Sequence, residues 1–221
     1  MAVGDVPRSG AAASQSRALG RRPLVLASAS PRRRELVSAL GLPFEVIVAD
    51  VDERPQPGEP ARALATRLAS AKAATVATVR PDAVVLAADT VVSHDGRLYE
   101  KPNSAAEAIQ MLRHLRGAPH EVTTGVCVLP AGDAPLVDAA YTTVWMRAYT
   151  DAELAAYVAS GEPFDKAGGY GIQDPHFRPV DHLVGCYTNV VGLPLCLTSA
   201  FLREAGLHLP DGAALCVHTE R

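Results

Sequence analysis

The sequence predicts an α/β fold, and three features point to it. Short apolar, strand-like runs alternate with helix-length stretches through the first half of the chain. One run, Val84–Ala88, is apolar throughout and partly β-branched, the pattern of a strand buried on both faces. Two longer segments, His120–Pro130 and Leu136–Tyr149, read as neighbouring strands joined across Ala131-Gly132-Asp133-Ala134-Pro135. The length, 221 residues, suits one domain or one domain with two lobes. Hydrophobic residues make up 48% and aromatics only 5%, so the core must rest on Ala, Val and Leu.

Composition narrows the function classes. A formal net charge of −3 argues against coating a nucleic-acid polymer by bulk electrostatics. No apolar run approaches the ~18 residues of a membrane span; the best candidate, Val190–Leu202, is broken by Gly192, Pro194, Thr198 and Ser199. Cys127, Cys186, Cys196 and Cys216 form no C-x-x-C pair and no secretory signal precedes them, so free thiols and a cytoplasmic location are expected. The seven histidines show no metal-ligand spacing, and a zinc site is not expected.

Residues 1–22 have Asp5 as their only acid and no periodicity; a disordered leader is expected. Organelle transit peptides share the Arg-rich, acid-poor composition, but not Asp5 or the lack of an amphipathic pattern. Leu24–Ala27 is a short strand running into Ser28-Ala29-Ser30-Pro31-Arg32-Arg33-Arg34, where Ser30 is a good helix N-cap and Pro31 a good first residue. Three arginines in a first helical turn oppose the macrodipole. They are either simply solvated or gathered around an anion bound at that terminus. Phe44–Val48 is a second strand, followed by the acids Asp50, Asp52 and Glu53, which either solvate a loop or supply a second carboxylate for a cation.

The chain is read as helical from Ala61 to Val79, with Leu64, Leu68, Ala71 and Thr75 on one face. Lys72 lies beside that face, either snorkelling to the surface or reaching a phosphate. Asp89 interrupts the apolar run after Val84–Ala88, and Val91-Val92 resume it; the acid either sits where the strand surfaces or is a catalytic or metal-binding acid at a strand's end. A carboxylate there is costly unless paired, hydrogen-bonded or holding a cation. The turn His94-Asp95-Gly96-Arg97 would swing Lys101 back toward Asp89. An acid and a lysine meeting in one cleft suit a polyanionic substrate carrying a divalent cation. Ser104–Arg116 reads as a helix with a Ser104/Glu107 capping box, and Thr150 opens another that Gly161 ends. The segment Glu162–Gln173 holds three glycines within four positions, either a flexible loop or backbone pressed on a ligand, with Lys166 available for phosphate and Gln173 for a base edge. A closing helix runs to about Gly206. The expected units are a leader (1–22), one folded domain (23–208) and a poorly ordered tail (209–221).

Taken together, the ordered stretches SASPRRREL (Ser28–Leu36), Val51-Asp52-Glu53, AADT (Ala87–Thr90), Glu100-Lys101-Pro102, Thr124-Gly125-Val126, DKAGGYGIQ (Asp165–Gln173) and VVGLP (Val190–Pro194) resemble the Maf family of nucleoside triphosphate pyrophosphatases. The resemblance implies a mixed central β-sheet flanked by helices, with two lobes and an intervening cleft. It implies hydrolysis of a nucleoside triphosphate to monophosphate and pyrophosphate with Mg²⁺ or Mn²⁺, and a homodimer. AADT with DKAGGYGIQ looks like the subgroup acting on dTTP, UTP and modified pyrimidine nucleotides. By motif, Asp89 matches the catalytic acid and, with Glu53, the metal ligands. Lys101 joins them in catalysis, while Ser28, Ser30, Arg32, Arg33, Lys72, Thr90, Lys166 and Gln173 contact substrate. Arg32, Thr90 and Gln173 match positions tied to substrate choice. The segment Asp174–His182 departs from the family's usual Gly-rich stretch and strand. The alternative is a nucleotide-binding regulator of cell division without turnover.

Overall fold

The computed structural model describes residues 22–210 and the backbone of His218–Thr219; the expected leader and most of the tail lie outside these residues. Strand β1 (Leu24–Leu26) has all three side chains buried and lies between parallel neighbours β2 (Phe44–Val46) and β3 (Val84–His94). From β3 the sheet continues antiparallel through β5 (Pro119–Leu129), β6 (Leu136–Met146), β7 (Val180–Cys186) and β8 (His218–Thr219). Strand β4 (Arg97–Tyr99) returns onto β3 as a hairpin. Its tip, Asp95-Gly96, has both residues at positive φ (48° and 74°), as a two-residue type I′ turn requires. The sheet is therefore mixed.

Helices cover both faces. On one, α1 (Pro31–Ser38) and α6 (Leu195–Glu204) bring Val37 and Leu202 to Leu24, Leu26, Leu86 and Val126. On the other, α2 (Ala61–Val79) lays Ala69, Ala73 and Val76 on Val25, Val85 and Ala87. A separate core joins α3 (Ala105–Leu115) and α4 (Asp151–Ala159) to the far ends of β5 and β6 through Leu112, Leu115, Val122, Val144, Tyr149 and Leu154. These two cores make two lobes. The short α5 (Tyr187–Val191), absent from the sequence reading, precedes α6.

Several local details differ from expectation. The buried face of α2 includes the expected Leu64 and Leu68 but continues through Ala65, Ala69, Lys72, Ala73 and Val76, while Ala71 is half-buried and Thr75 exposed, because the small residues seat the helix close on the sheet. Gly125 of β5 decides that closeness: a Cβ there would lie 2.4 Å from the backbone carbon of Ala65. At α3, Ser104 Oγ accepts from Glu107 N, but Glu107 Oε2 accepts from Asn103 N (2.8 Å) instead of completing the box at Ser104. The box does form at α4, between Thr150 and Glu153. In the divergent segment, Asp174 Oδ1 accepts from His176 N and Phe177 N, making a turn that delivers the chain to β7. Beyond Gly206, Leu207 and Leu209 pack on the first core, and 218–219 add to the edge of β7.

Candidate active site

The site grows from a gap in the sheet. Strand β1 pairs with β3 only at Val84–Leu86, and β4 pairs with the same edge only at Val92–His94. Between them, among the described residues, Ala87–Val91 have no strand on that side, so side chains from both faces of β3 reach one opening. Asp89 is therefore not at a strand's end. It sits in mid-strand, opposite Gly125 of β5, and the run that resumes at Val91-Val92 belongs to the same strand.

From one face comes Lys72, which the close seat of α2 buries to 8% exposure. A snorkelling lysine is not what is found. Its ammonium donates to Asp89 Oδ1 at 2.6 Å and lies 2.5 Å from Glu53 Oε1. Half-burial alone would raise the Glu53 carboxyl, but the Lys72 hydrogen bond and charge, with Lys101 and Arg33 behind them, hold it below the usual carboxylate range. Of the three acids in that loop, Asp52 is turned outward onto exposed Arg54, so Glu53 alone joins Asp89 through Lys72.

From the other face comes Arg33. Ser30 caps α1 by accepting from Arg33 N, and Ser28 Oγ accepts from Ser30 N, which fixes the turn. The Arg33 head donates to Gly192 O (2.8 Å), Thr90 Oγ1 (3.0 Å) and Ser28 Oγ (3.4 Å). All three acceptors are neutral, and among the described residues Arg33 makes no ion pair. Desolvation pulls this guanidinium below its ordinary value, against the charge of Asp89. Arg32 reaches across the opening to the second lobe, donating to Asp165 Oδ2 (2.9 Å) and Asp165 O (3.2 Å). Lys166 shares that carboxylate (Oδ1, 2.6 Å) and also bonds Glu162. Lys101 and Gln173 are exposed on the wall, and Lys101 makes no ion pair among the described residues.

All eleven residues singled out from the sequence line one cavity of about 1390 Å³. That volume exceeds the range typical of drug-sized ligands and accommodates a nucleoside triphosphate. Glu53 Oε1 and Asp89 Oδ1 share one ammonium and so lie within about 5 Å of each other. Both are hard oxygen donors. Such a pair suits Mg²⁺, which is commonly held by one or two carboxylates while phosphate and water oxygens complete the shell. Among the described residues no group of three or more His, Cys, Asp or Glu is placed to hold an ion by itself.

Three polar residues behind the site were given no role by the sequence reading. His120 Nε2 and the Tyr170 hydroxyl meet at 2.6 Å in the core of the second lobe, 50 residues apart in sequence. Thr124, noted only within a strand and the Thr124-Gly125-Val126 stretch, and Asn189, just before VVGLP, are both fully buried behind Thr90. Burial of a polar side chain by a distant segment leaves no local signal.

A family model described as "Maf-like protein" matches residues 23–205. The chain belongs to the Maf family. Among curated Maf relatives, one named "dTTP/UTP pyrophosphatase" from Thermomicrobium roseum is 54% identical over 195 residues, covering 87% of this chain and 89% of that protein. Another of the same name from Deinococcus radiodurans is 49% identical, over 83% of this chain and 93% of that one. A solved structure titled as a nucleoside-triphosphatase / dITP/XTP pyrophosphatase from Mycobacterium abscessus overlaps 57% of this chain and 75% of its own at a TM-score of 0.39 and 16% identity, too slight to bear on the chemistry. Within the Maf chain, the distant motifs SASPRRREL, AADT, DKAGGYGIQ and VVGLP all converge on the sheet gap.

Proposed function

We propose that this Maf protein hydrolyses nucleoside triphosphates, dTTP and UTP foremost, to the monophosphate and pyrophosphate. The observation that carries the reading is the convergence of two carboxylates with Lys72, Lys101 and Arg33 on one triphosphate-sized cavity. The names of the relatives supply the base preference and the position of cleavage.

Asp89 is the group suited to direct a water at the α-phosphorus and take its proton. It projects from the middle of a strand, and Lys72 fixes Oδ1 while Oδ2 accepts no hydrogen bond among the described residues. As the water oxygen bonds to phosphorus, the bond to the α–β bridging oxygen breaks and pyrophosphate departs. Arg33 and Lys101 are placed to offset charge on that leaving group, at a cost in rate of ~10²–10³ for each well-placed donor removed. Arg32 and Lys166 are shared with Asp165, so phosphate oxygens must compete with that carboxylate for them. A divalent cation held by Glu53 and Asp89 would neutralise phosphate charge and polarise the reacting P–O bond. No helix of the described residues is long and apolar enough to cross a membrane; a cytoplasmic homodimer acting on free nucleotides accords with the family.

The test is a panel of triphosphates with Mg²⁺, with products separated by chromatography. Equal release of monophosphate and pyrophosphate from dTTP and UTP, above dCTP and GTP, is expected. Binding without products would point instead to the nucleotide-binding regulator, and release of inorganic phosphate to a different reaction.

A further inference from the structure

Behind the cleft runs a column of hydroxyls whose proton directions are fixed by its far end. Thr124 Oγ1 lies 3.0 Å from the main-chain oxygen of Asn189, and a carbonyl oxygen only accepts. The single hydroxyl proton of Thr124 is therefore committed inward. Thr90 Oγ1 and Thr124 Oγ1 are 3.0 Å apart, and with Thr124's proton spent, Thr90 must be the donor in that bond. Arg33 Nη2 meanwhile donates into Thr90 Oγ1. Thr90 is left with no proton for the cavity and only an acceptor lone pair to offer it.

The base of the column is rigid. Thr124, Thr142 and Asn189 are each fully buried. Asn189 Nδ2 donates to Val122 O and Thr142 Oγ1, both at 2.9 Å, which locks α5 onto β5 and β6. Thr142 in turn bonds both the N–H and the C=O of Cys186. The loop after α5 then supplies Gly192 O, the second anchor of the Arg33 head.

We infer that Thr124 and Asn189 are positioning residues: they fix Thr90 as a hydrogen-bond acceptor toward the substrate and hold the Arg33 guanidinium in the attitude that meets the triphosphate. This rests on the proposed pyrophosphatase reading of the cavity. Neither Thr124 nor Asn189 lines the cavity, so both act through Thr90 and Arg33.

The experiment compares Thr124→Val with Thr124→Ser, alone and in a Thr90→Val background, measuring kcat/KM for dTTP and, by calorimetry, binding of inorganic pyrophosphate. Removing the Thr124 hydroxyl frees the Thr90 proton to turn outward and loosens Arg33, so Thr124→Val should lower kcat/KM about tenfold, the scale of one lost hydrogen bond. Thr124→Ser should restore it. In the Thr90→Val background, Thr124→Val should change nothing further, because its effect passes through the missing hydroxyl. A Thr124→Val chain at native efficiency overturns the inference. So does failure of serine to rescue, or an effect that simply adds to that of Thr90→Val; either would assign Thr124 to packing alone. If Thr124→Val does not fold, Thr124→Ala is read against Thr124→Ser in the same way. A native chain that binds pyrophosphate but turns over no triphosphate overturns the pyrophosphatase reading and leaves the column to be judged on the binding data. One that does neither overturns both.

Discussion

Replacing Gly125 by alanine tests how the fold sets the site. The added Cβ would lie 2.4 Å from both the carbon and the oxygen of the Ala65 carbonyl and 2.6 Å from Thr66 N, where ordinary contact begins near 3.4 Å. The obstacle is helix backbone, so no rotamer change relieves it, and α2 must retreat by about 1 Å. Overpacking of this kind costs ~1–3 kcal/mol. The contacts of Ala69, Ala73 and Val76 with the sheet would loosen as well, bringing the expected total to about 3–4 kcal/mol. The same retreat carries Lys72, two turns along the helix, out of hydrogen-bond range of Asp89, whose strand position is directly opposite Gly125. Denaturant unfolding with an unchanged m-value measures the first effect, and the rate of pyrophosphate release the second. Both should fall together. Stability within about 0.5 kcal/mol of native, with native turnover, would refute the claim that this close approach positions the ammonium.

His120 predicts a pH effect on stability. Burial, helped by His94, lowers its pKa to about 3 against 6.5 for the free side chain, so the folded chain keeps it neutral where the unfolded chain protonates. Stability is therefore lost as pH falls below 6.5, by about 2 kcal/mol between pH 7 and 5 from this residue. His120→Gln should flatten that slope in a melting series, and an unchanged slope would dismiss the assignment. Gln173 is exposed on the cavity wall, and in the proposed reading it meets the base, so Gln173→Ala should shift the ratio of dTTP to dCTP efficiency several-fold with kcat for dTTP little changed. Unaltered ratios across the triphosphate panel would remove it from base recognition.

What could be read from the sequence was local. Ser30-Pro31, Asp95-Gly96 and Thr150/Glu153 announce a cap, a hairpin and a capping box because their partners lie within a few residues. The buried run of β3 and its resumption at Val91-Val92 were visible, but the place of Asp89 inside one strand and not at its end was not. A carboxylate inside a strand is tolerable only because β1 and β4 leave an opening there and Lys72 comes down from another element. The burial of Lys72 followed from Gly125, more than fifty residues away, and nothing in the helix itself distinguishes it from a surface lysine. The motif resemblance gathered the eleven site residues, whereas Thr124, Asn189 and His120 lie outside what periodicity or spacing can reveal. Their side-chain partners are 34 to 67 residues distant, so no local pattern marks them.

The measurement that bears most directly on the whole is the rate of pyrophosphate release from dTTP by Asp89→Asn beside the native chain, at saturating Mg²⁺. Asparagine keeps the size of the side chain but cannot take a proton from water. A folded variant of native melting behaviour whose kcat falls by ~10²–10³ is the predicted result. Near-native turnover by that variant would contradict it and move the chemistry away from the gap between β1 and β4.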